Sequence, residues 1–145
     1  VILGVGVDVV QVERVRQKMG ESFDTPLAKG AFTASELEYA KSKGVAAFQS
    51  LAGFFAAKEA FFKATQVWPG WHDVWVKHDE NGRPYFGLHL KDTEKLRAKG
   101  IDLTKCRVSL TISHEKEYAV AVVVVDTDAF QLFSKIVETP TPETD

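Results

Sequence analysis

The first ten residues, Val1-Ile2-Leu3-Gly4-Val5-Gly6-Val7-Asp8-Val9-Val10, leave the chain little structural choice. An apolar run this rich in β-branched side chains is a strand that must be covered by something else. Asp8 breaks the pattern. By strand alternation it shares a face with Ile2, Gly4, Gly6 and Val10, while Val5, Val7 and Val9 point the other way. The two glycines leave space on Asp8's side. A carboxylate in apolar surroundings needs a cation, a hydrogen-bond donor or water. Asp8 is therefore either the cap of the next helix or part of a site, and the strand alone leaves both open.

The remaining pattern supplies the cover. Val12, Val15 and Met19 follow helical spacing, with Arg14 and Lys18 at i, i+4 on another side. Thr33-Ala34-Ser35-Glu36 is a capping box that opens a second short helix through about Lys41. The longest helix is predicted over residues 46 to 66, ended by Trp68-Pro69-Gly70. Strands follow at Asp73 to Lys77 and Tyr85 to Leu90, joined by the turn Asp79-Glu80-Asn81-Gly82-Arg83-Pro84. A short helix spans Asp92 to Lys99 and stops at Gly100. Arg107 to Ser113, with Val108, Leu110 and Ile112 on one face, and Tyr118 to Val125 form a hairpin through His114-Glu115-Lys116-Glu117. The expected fold class is α+β, a largely antiparallel sheet packed against one long helix. Residues 1 to 126 form that domain, Ala129 to Val137 add a C-terminal helix with Phe130, Phe133, Ile136 and Val137 as its apolar stripe, and residues 139 to 145 read as a disordered tail.

A second carboxylate stands out on the long helix. On a helical wheel Phe48, Leu51, Ala52, Phe55 and Phe62 form one stripe, and Glu59 falls between Phe48 and Ala52. Lys63 follows at i+4, so an intrahelical Glu59–Lys63 pair accounts for the spacing but not for its place on the apolar side. If strand and helix pack together, Asp8 and Glu59 converge. Two carboxylates without a nearby His or Cys suit a hard cation such as Mg²⁺, completed by water and phosphate oxygens. Lys63 beside them would neutralise phosphate charge or protonate a leaving group. The residues thus point to metal-assisted phosphoryl chemistry.

Composition narrows the partners. The 145 residues carry 18 Lys plus Arg against 20 Asp plus Glu, a formal net charge of -2, which argues against a general nucleic-acid binder. A single cysteine, Cys106, excludes an intramolecular disulfide framework and a Cys-rich zinc module, and reads as an inert strand residue in a reducing, cytoplasmic setting. The apolar runs are too short to cross a bilayer, and no signal-peptide pattern is expected at Val1 to Val10. Gly4-x-Gly6 lacks the rest of a dinucleotide fingerprint. His114 reads as a turn histidine or an anion contact at the sheet's edge. Phe54, Phe61 and Trp68 exceed what the stripe needs and are expected to pack on a neighbouring element or subunit.

Several segments in order resemble one family. They are Gly4-Val5-Gly6-Val7-Asp8-Val9-Val10 with Glu13-Arg14-Val15, Phe32-Thr33 with Glu36, the run Leu51 to Ala64 containing Phe55-Ala56-Ala57-Lys58-Glu59-Ala60, Asn81-Gly82-Arg83-Pro84, and Val108 to Glu115. Together they resemble the holo-acyl-carrier-protein synthases, small bacterial 4′-phosphopantetheinyl transferases, over residues 2 to 125. The resemblance implies transfer of 4′-phosphopantetheine from coenzyme A to a serine of apo-acyl carrier protein, with Mg²⁺, releasing 3′,5′-adenosine bisphosphate. It implies Asp8 and Glu59 as metal ligands and Lys63 as the lysine near the pyrophosphate. His114 would contact the coenzyme A phosphates, Asn81, Gly82, Arg83 and Pro84 would surround the nucleotide, and Arg14, with Lys18 on the same basic face, would dock the carrier protein. It further implies a homotrimer with interfacial sites. The chain departs from the family pattern at Phe54, where an arginine is usual, and at Thr65-Gln66-Val67-Trp68. Two other readings have different signatures: a hot-dog acyl-CoA thioesterase, which needs a helix carboxylate but not Asp8, and a catalytically inactive carrier-binding module.

Overall fold

The structure is a computed structural model and describes residues 1–127, so the expected helix at Ala129 to Val137 and the tail lie outside the described residues. In chain order these residues form β1 (Ile2–Gln11), α1 (Val12–Lys18), α2 (Pro26–Ala31), α3 (Ala34–Lys41), a 3-10 turn (Gly44–Ala46), α4 (Ala47–Thr65), β2 (Val74–His78), β3 (Pro84–Leu88), α5 (Leu90–Ala98), β4 (Cys106–His114) and β5 (Tyr118–Thr127). The α+β class is the expected one. The strands nonetheless divide into two antiparallel sheets, a three-stranded β1-β5-β4 and a two-stranded β2-β3. Among the described residues no helix is long and apolar enough to cross a membrane.

Helix α4 lies across β1 and β5. On β5, Ala119, Ala121, Val123 and Val125 are buried beneath it. The small residues draw the helix down onto the sheet, and on β1 that closeness is extreme. A Cβ at Gly4 would collide with the carbonyl oxygen of Ala64; one at Gly6 would collide with that of Ala60 and stand 2.8 Å from the Ala64 nitrogen. The glycines therefore do not leave open space beside Asp8, as expected from the strand; the backbone of α4 fills it. Gly6→Ala would have to push α4 off the sheet, at a cost of roughly 1–3 kcal/mol. Its thermal midpoint is expected to fall by about 5 °C, whereas Gly30→Ala, where a Cβ meets nothing within 4 Å, leaves the midpoint unchanged or raised.

The core side of α4 is rotated from the predicted stripe. Leu51, Phe54, Ala57 and Phe61 are buried, Phe55 is only half-buried, and Phe62 is 37% exposed. The helix meets the sheet on one side and α1, α3 and β2 on others, so apolar residues occupy several arcs of the wheel and no single arc marks the core. Phe54 and Phe61, expected to pack on a neighbouring element or subunit, pack as core residues on neighbouring elements: Phe61 lies edge-on against Phe86 at 5.2 Å and Phe54 is tilted against Tyr39 at 5.6 Å.

Element ends follow local chemistry. Helix α4 stops at Gln66, which adopts a left-handed conformation (φ 59°) and donates its N–H to the Phe62 carbonyl at 2.7 Å, so Trp68-Pro69-Gly70 lies beyond the true end. Helix α2 was not predicted, although Thr25 caps it by accepting the Ala28 N–H at 3.2 Å and Pro26 opens it. The Thr33 capping box is present in both directions: Thr33 Oγ1 accepts the Glu36 N–H at 3.2 Å and Glu36 Oε1 accepts the Thr33 N–H at 2.9 Å.

Candidate active site

The close approach of α4 to Gly4 and Gly6 sets Asp8, near the end of β1, beside the middle of the helix. Asp8 and Glu59 line one cavity of about 250 Å³, together with Arg14 and Lys18 of α1 and with Phe55. Asp8 does not cap α1: the N-cap is Gln11, and no side-chain bond closes that end. Lys63 turns away from Glu59 and across to the strand. Its Nζ donates to the Val7 carbonyl at 3.0 Å and to Asp8 Oδ1 at 3.2 Å. The intrahelical Glu59–Lys63 pair is thus replaced by a strand–helix pair, because packing brings β1 closer to Lys63 than the wheel can show.

Among the described residues, neither Asp8 Oδ2 nor either oxygen of Glu59 has a hydrogen-bond or ion-pair partner. The two residues that carry these three acceptor oxygens line the same cavity. Among these residues no group of three His, Cys, Asp or Glu could hold a metal ion alone. Two oxygen-only carboxylates with open neighbouring space fit Mg²⁺, which keeps several waters and takes substrate phosphate oxygens for the rest.

A buried ion pair lies directly behind this site and escaped the sequence reading. Lys58, adjacent to Glu59, and Glu36 are both fully enclosed, with side chains 0% exposed. Lys58 Nζ donates to Glu36 Oε1 at 2.7 Å and to the carbonyls of Ala31 (3.1 Å) and Trp71 (2.5 Å). Glu36 Oε2 accepts the Val76 N–H at 3.0 Å. Burial pushes the Lys58 ammonium below its ordinary pKa, and Glu36 opposes that shift. The knot ties α3, α4, β2 and the segment around Trp71 together, and so fixes the rotation of α4 that aims Glu59.

The predicted nucleotide residues sit elsewhere on the chain. Asp79 Oδ1 closes the β2–β3 turn by accepting the N–H groups of Asn81 (2.8 Å) and Arg83 (2.9 Å), with Gly82 at a φ of 81°. Asn81, Gly82, Arg83 and Pro84 line an open cleft of about 780 Å³ along β4. Gly82 and Pro84 also border a cavity of about 190 Å³ with His114, Ser50 and the rings of Tyr39, Phe54 and His78. His114 is the last residue of β4 rather than a loop residue, and its Nδ1 lies 3.0 Å from Gln49 Oε1. Tyr39 and His78 stack at 4.0 Å with Phe54 tilted against both. Burial, reinforced by Lys43, holds the His78 imidazole below the usual histidine range, against an upward pull from Asp79. Neither of these cavities is lined by Asp8 or Glu59.

Comparison with known proteins gives the family. Residues 4–123 match the model of the 4′-phosphopantetheinyl transferase superfamily, a span containing both carboxylates, Lys63, the turn and His114. The chain is 38% identical over 128 residues to a holo-[acyl-carrier-protein] synthase of Treponema denticola, covering 86% of this chain and 98% of that protein. It belongs to that family. Among solved holo-[acyl-carrier-protein] synthases, the Neisseria meningitidis structure superposes with a TM-score of 0.74 at 30% identity, covering 88% of this chain and all of that one. The Bacillus anthracis structure, a complex with CoA (3′,5′-ADP), gives 0.64 at 30% identity over 88% of this chain and 98% of that one. As a holo-acyl-carrier-protein synthase the chain is a transferase, and its α+β fold is the family's.

Proposed function

We propose that this chain transfers 4′-phosphopantetheine from coenzyme A to a serine of an apo-acyl carrier protein, with Mg²⁺ at Asp8 and Glu59, releasing 3′,5′-adenosine bisphosphate. The observation that carries this reading is that two carboxylates line one cavity, Asp8 paired with the Lys63 ammonium and Glu59 without a partner among the described residues. When bound, Mg²⁺ supplies Lewis-acid stabilisation of charge developing on the phosphoryl oxygens. The carrier serine attacks the phosphorus of the pantetheine phosphate; the P–O bond to the bisphosphate breaks as the new ester forms. Lys63 would balance charge on the departing phosphate and donate a proton to it. The serine proton passes to water or to a site carboxylate.

Arg14 and Lys18 line the same cavity from α1, so a carrier protein with an acidic helix would dock where its serine can reach the reacting centre. Fatty acid biosynthesis in a cytoplasmic setting is the matching role. Incubation with coenzyme A, Mg²⁺ and apo-carrier protein should add one phosphopantetheine mass to the carrier, and EDTA should prevent it. Hydrolysis of acyl-CoA in EDTA, without mass gain on the carrier, would instead establish the thioesterase reading. Carrier binding with neither coenzyme A nor metal binding would establish an inactive module.

The site also calls for a second copy of the chain. A cavity of about 250 Å³ lies below the usual lower bound of ~300 Å³ for a ligand pocket, and the nucleotide turn borders other cavities. On the open face of the sheet, Val5, Val7 and Val9 are 56%, 51% and 59% exposed, opposite Val124, Val122 and Val120 on β5. Such an apolar face is expected to be covered in an assembly, a homotrimer whose interfaces join one copy's carboxylates to a neighbour's turn. Val5→Asp should give a folded monomer by sedimentation, with transfer lowered by about 10²-fold; an unchanged oligomer, or a fully active monomer, would contradict this arrangement.

A further inference from the structure

Of the two carboxylates in the reacting cavity, Asp8 is held by Lys63 at 3.2 Å, whereas Glu59 has no hydrogen-bond or ion-pair partner among the described residues. A glutamate has three side-chain torsions, and a free one surrenders their entropy on taking a cation. An effective ligand is already held when the cation arrives. Hydrogen bonds do not hold Glu59, so packing must.

The packing is aromatic and forms a bridge over the helix. On α4, Phe55 lies one turn before Glu59 and Phe62 three residues after it. At 3.6 residues per turn both rings project about 40–60° to one side of Glu59, with Lys63 on the other, where it reaches β1. Two tryptophans beyond the helix join those rings. Phe55 stacks on Trp71 with centroids 4.9 Å apart, Trp71 meets Trp68 edge-on at 4.6 Å, and Trp68 meets Phe62 edge-on at 6.3 Å. The four rings leave α4 before Glu59 and return to it after Glu59.

Local chemistry sets the bridge in place. Gln66 turns the chain back at a φ of 59°, and the buried Thr65 hydroxyl accepts the Val67 N–H at 3.1 Å. Gly70, at a φ of 121°, closes the bend between the tryptophans, and a Cβ there would stand 2.9 Å from Asp73 Oδ2. Lys58, next to Glu59 in the chain, donates to the Trp71 carbonyl at 2.5 Å, which ties the bridge to the helix at Glu59's own turn. Core formation alone does not account for these rings. Trp68 and Phe62 are each 37% exposed, and hydrophobic stabilisation follows the area removed from water. What lies at the centre of the bridge, along the helix, is Glu59.

We propose that Trp71 and Trp68 are positioning residues for the metal site: through Phe55 and Phe62 they confine the Glu59 side chain to the orientation that meets a divalent cation. The inference rests on the metal reading above and extends the site to two residues beyond α4. It also gives a use to the departure from the family pattern at Thr65-Gln66-Val67-Trp68. The tryptophans act through Glu59 and not on the broken bond, so their loss should weaken the cation and leave turnover at saturating cation nearly intact.

The test titrates Mn²⁺ into the protein with saturating coenzyme A and no carrier protein, reading free Mn²⁺ by electron paramagnetic resonance, so that no turnover is needed. Trp71→Ala should raise the Mn²⁺ dissociation constant about tenfold, and Trp68→Ala should raise it in the same direction. In transfer assays Trp71→Ala should need more Mg²⁺, with kcat at saturating Mg²⁺ within about twofold. Glu59→Gln should weaken Mn²⁺ by itself, and adding Trp71→Ala to it should cost nothing further, because the ring acts only through that carboxylate. Thermal melting verifies folding, and Trp68→Ala, at a more exposed ring, decides the matter if Trp71→Ala does not fold. Unchanged Mn²⁺ affinity in either folded alanine variant, or a full Trp71→Ala loss on top of Glu59→Gln, would overturn the proposal while leaving the metal reading intact. Unchanged affinity in Glu59→Gln would overturn both.

Discussion

Alanine in place of Asp8 or Glu59 is expected to lower kcat/KM for phosphopantetheine transfer by about 10²–10³-fold or more, with the thermal midpoint nearly unchanged. The two parts of that result have separate causes. Neither carboxylate is a core group: Asp8 has a side chain 18% exposed and one partner, Lys63 at 3.2 Å, and Glu59 has none among the described residues. Removing either side chain therefore leaves no buried polar atom stranded, and the fold is kept. What is lost is negative charge at the cavity. Asp8→Asn and Glu59→Gln keep shape while removing charge, so they should lose nearly as much activity as the alanine variants, with a higher Mg²⁺ requirement. If the amide variants retained full activity at low Mg²⁺, the carboxylates would not be acting as cation ligands.

Lys58→Met is expected to be the most destabilising single change in the domain. It removes the cation paired with a carboxylate that is itself fully enclosed. Breaking such a pair costs roughly 3–5 kcal/mol, a large share of the ~5–15 kcal/mol available to a domain. The carbonyls of Ala31 and Trp71 lose their donor at the same time. In urea the midpoint should fall steeply, and expression at 37 °C should become poor. Adding Glu36→Gln should recover part of the loss, because it removes the uncompensated charge while its one amide oxygen still accepts from either the Thr33 or the Val76 N–H. A Lys58→Met protein that unfolded at the wild-type urea concentration would show that the ion pair is not what joins α3, β2 and α4.

Much of this architecture is legible in the amino-acid order. A valine run interrupted by one aspartate predicts a covered strand and marks Asp8 as either a cap or part of a site, and Thr33 to Glu36 predicts a cap that forms in both directions. The convergence of Asp8 and Glu59 follows once α4 lies on β1, which Gly4 and Gly6 make possible. What the order conceals is mostly non-local. Lys58 has the composition of a solvated helix residue, and only the folded chain shows Glu36 arriving from 22 residues away to meet it. Lys63 has two acidic neighbours in prospect, one by helical spacing and one by packing, and packing decides in favour of Asp8. The wheel of α4 misplaces the core because the helix is covered from several sides, so Phe54 and Phe61, not Phe55 and Phe62, carry the burial. The division into two sheets depends on strand pairing that period-two patterning does not encode.

The central claim is that Asp8 and Glu59 jointly hold the divalent cation that engages coenzyme A. The most direct measurement is an anomalous-difference map from crystals of the assembled protein soaked with coenzyme A and Mn²⁺ as the scattering substitute for Mg²⁺. The account predicts one peak between the carboxylates of Asp8 and Glu59, with a diphosphate oxygen of the bound coenzyme A on the same ion. Bound coenzyme A with no peak at that position, or with the ion held by other residues, would contradict it.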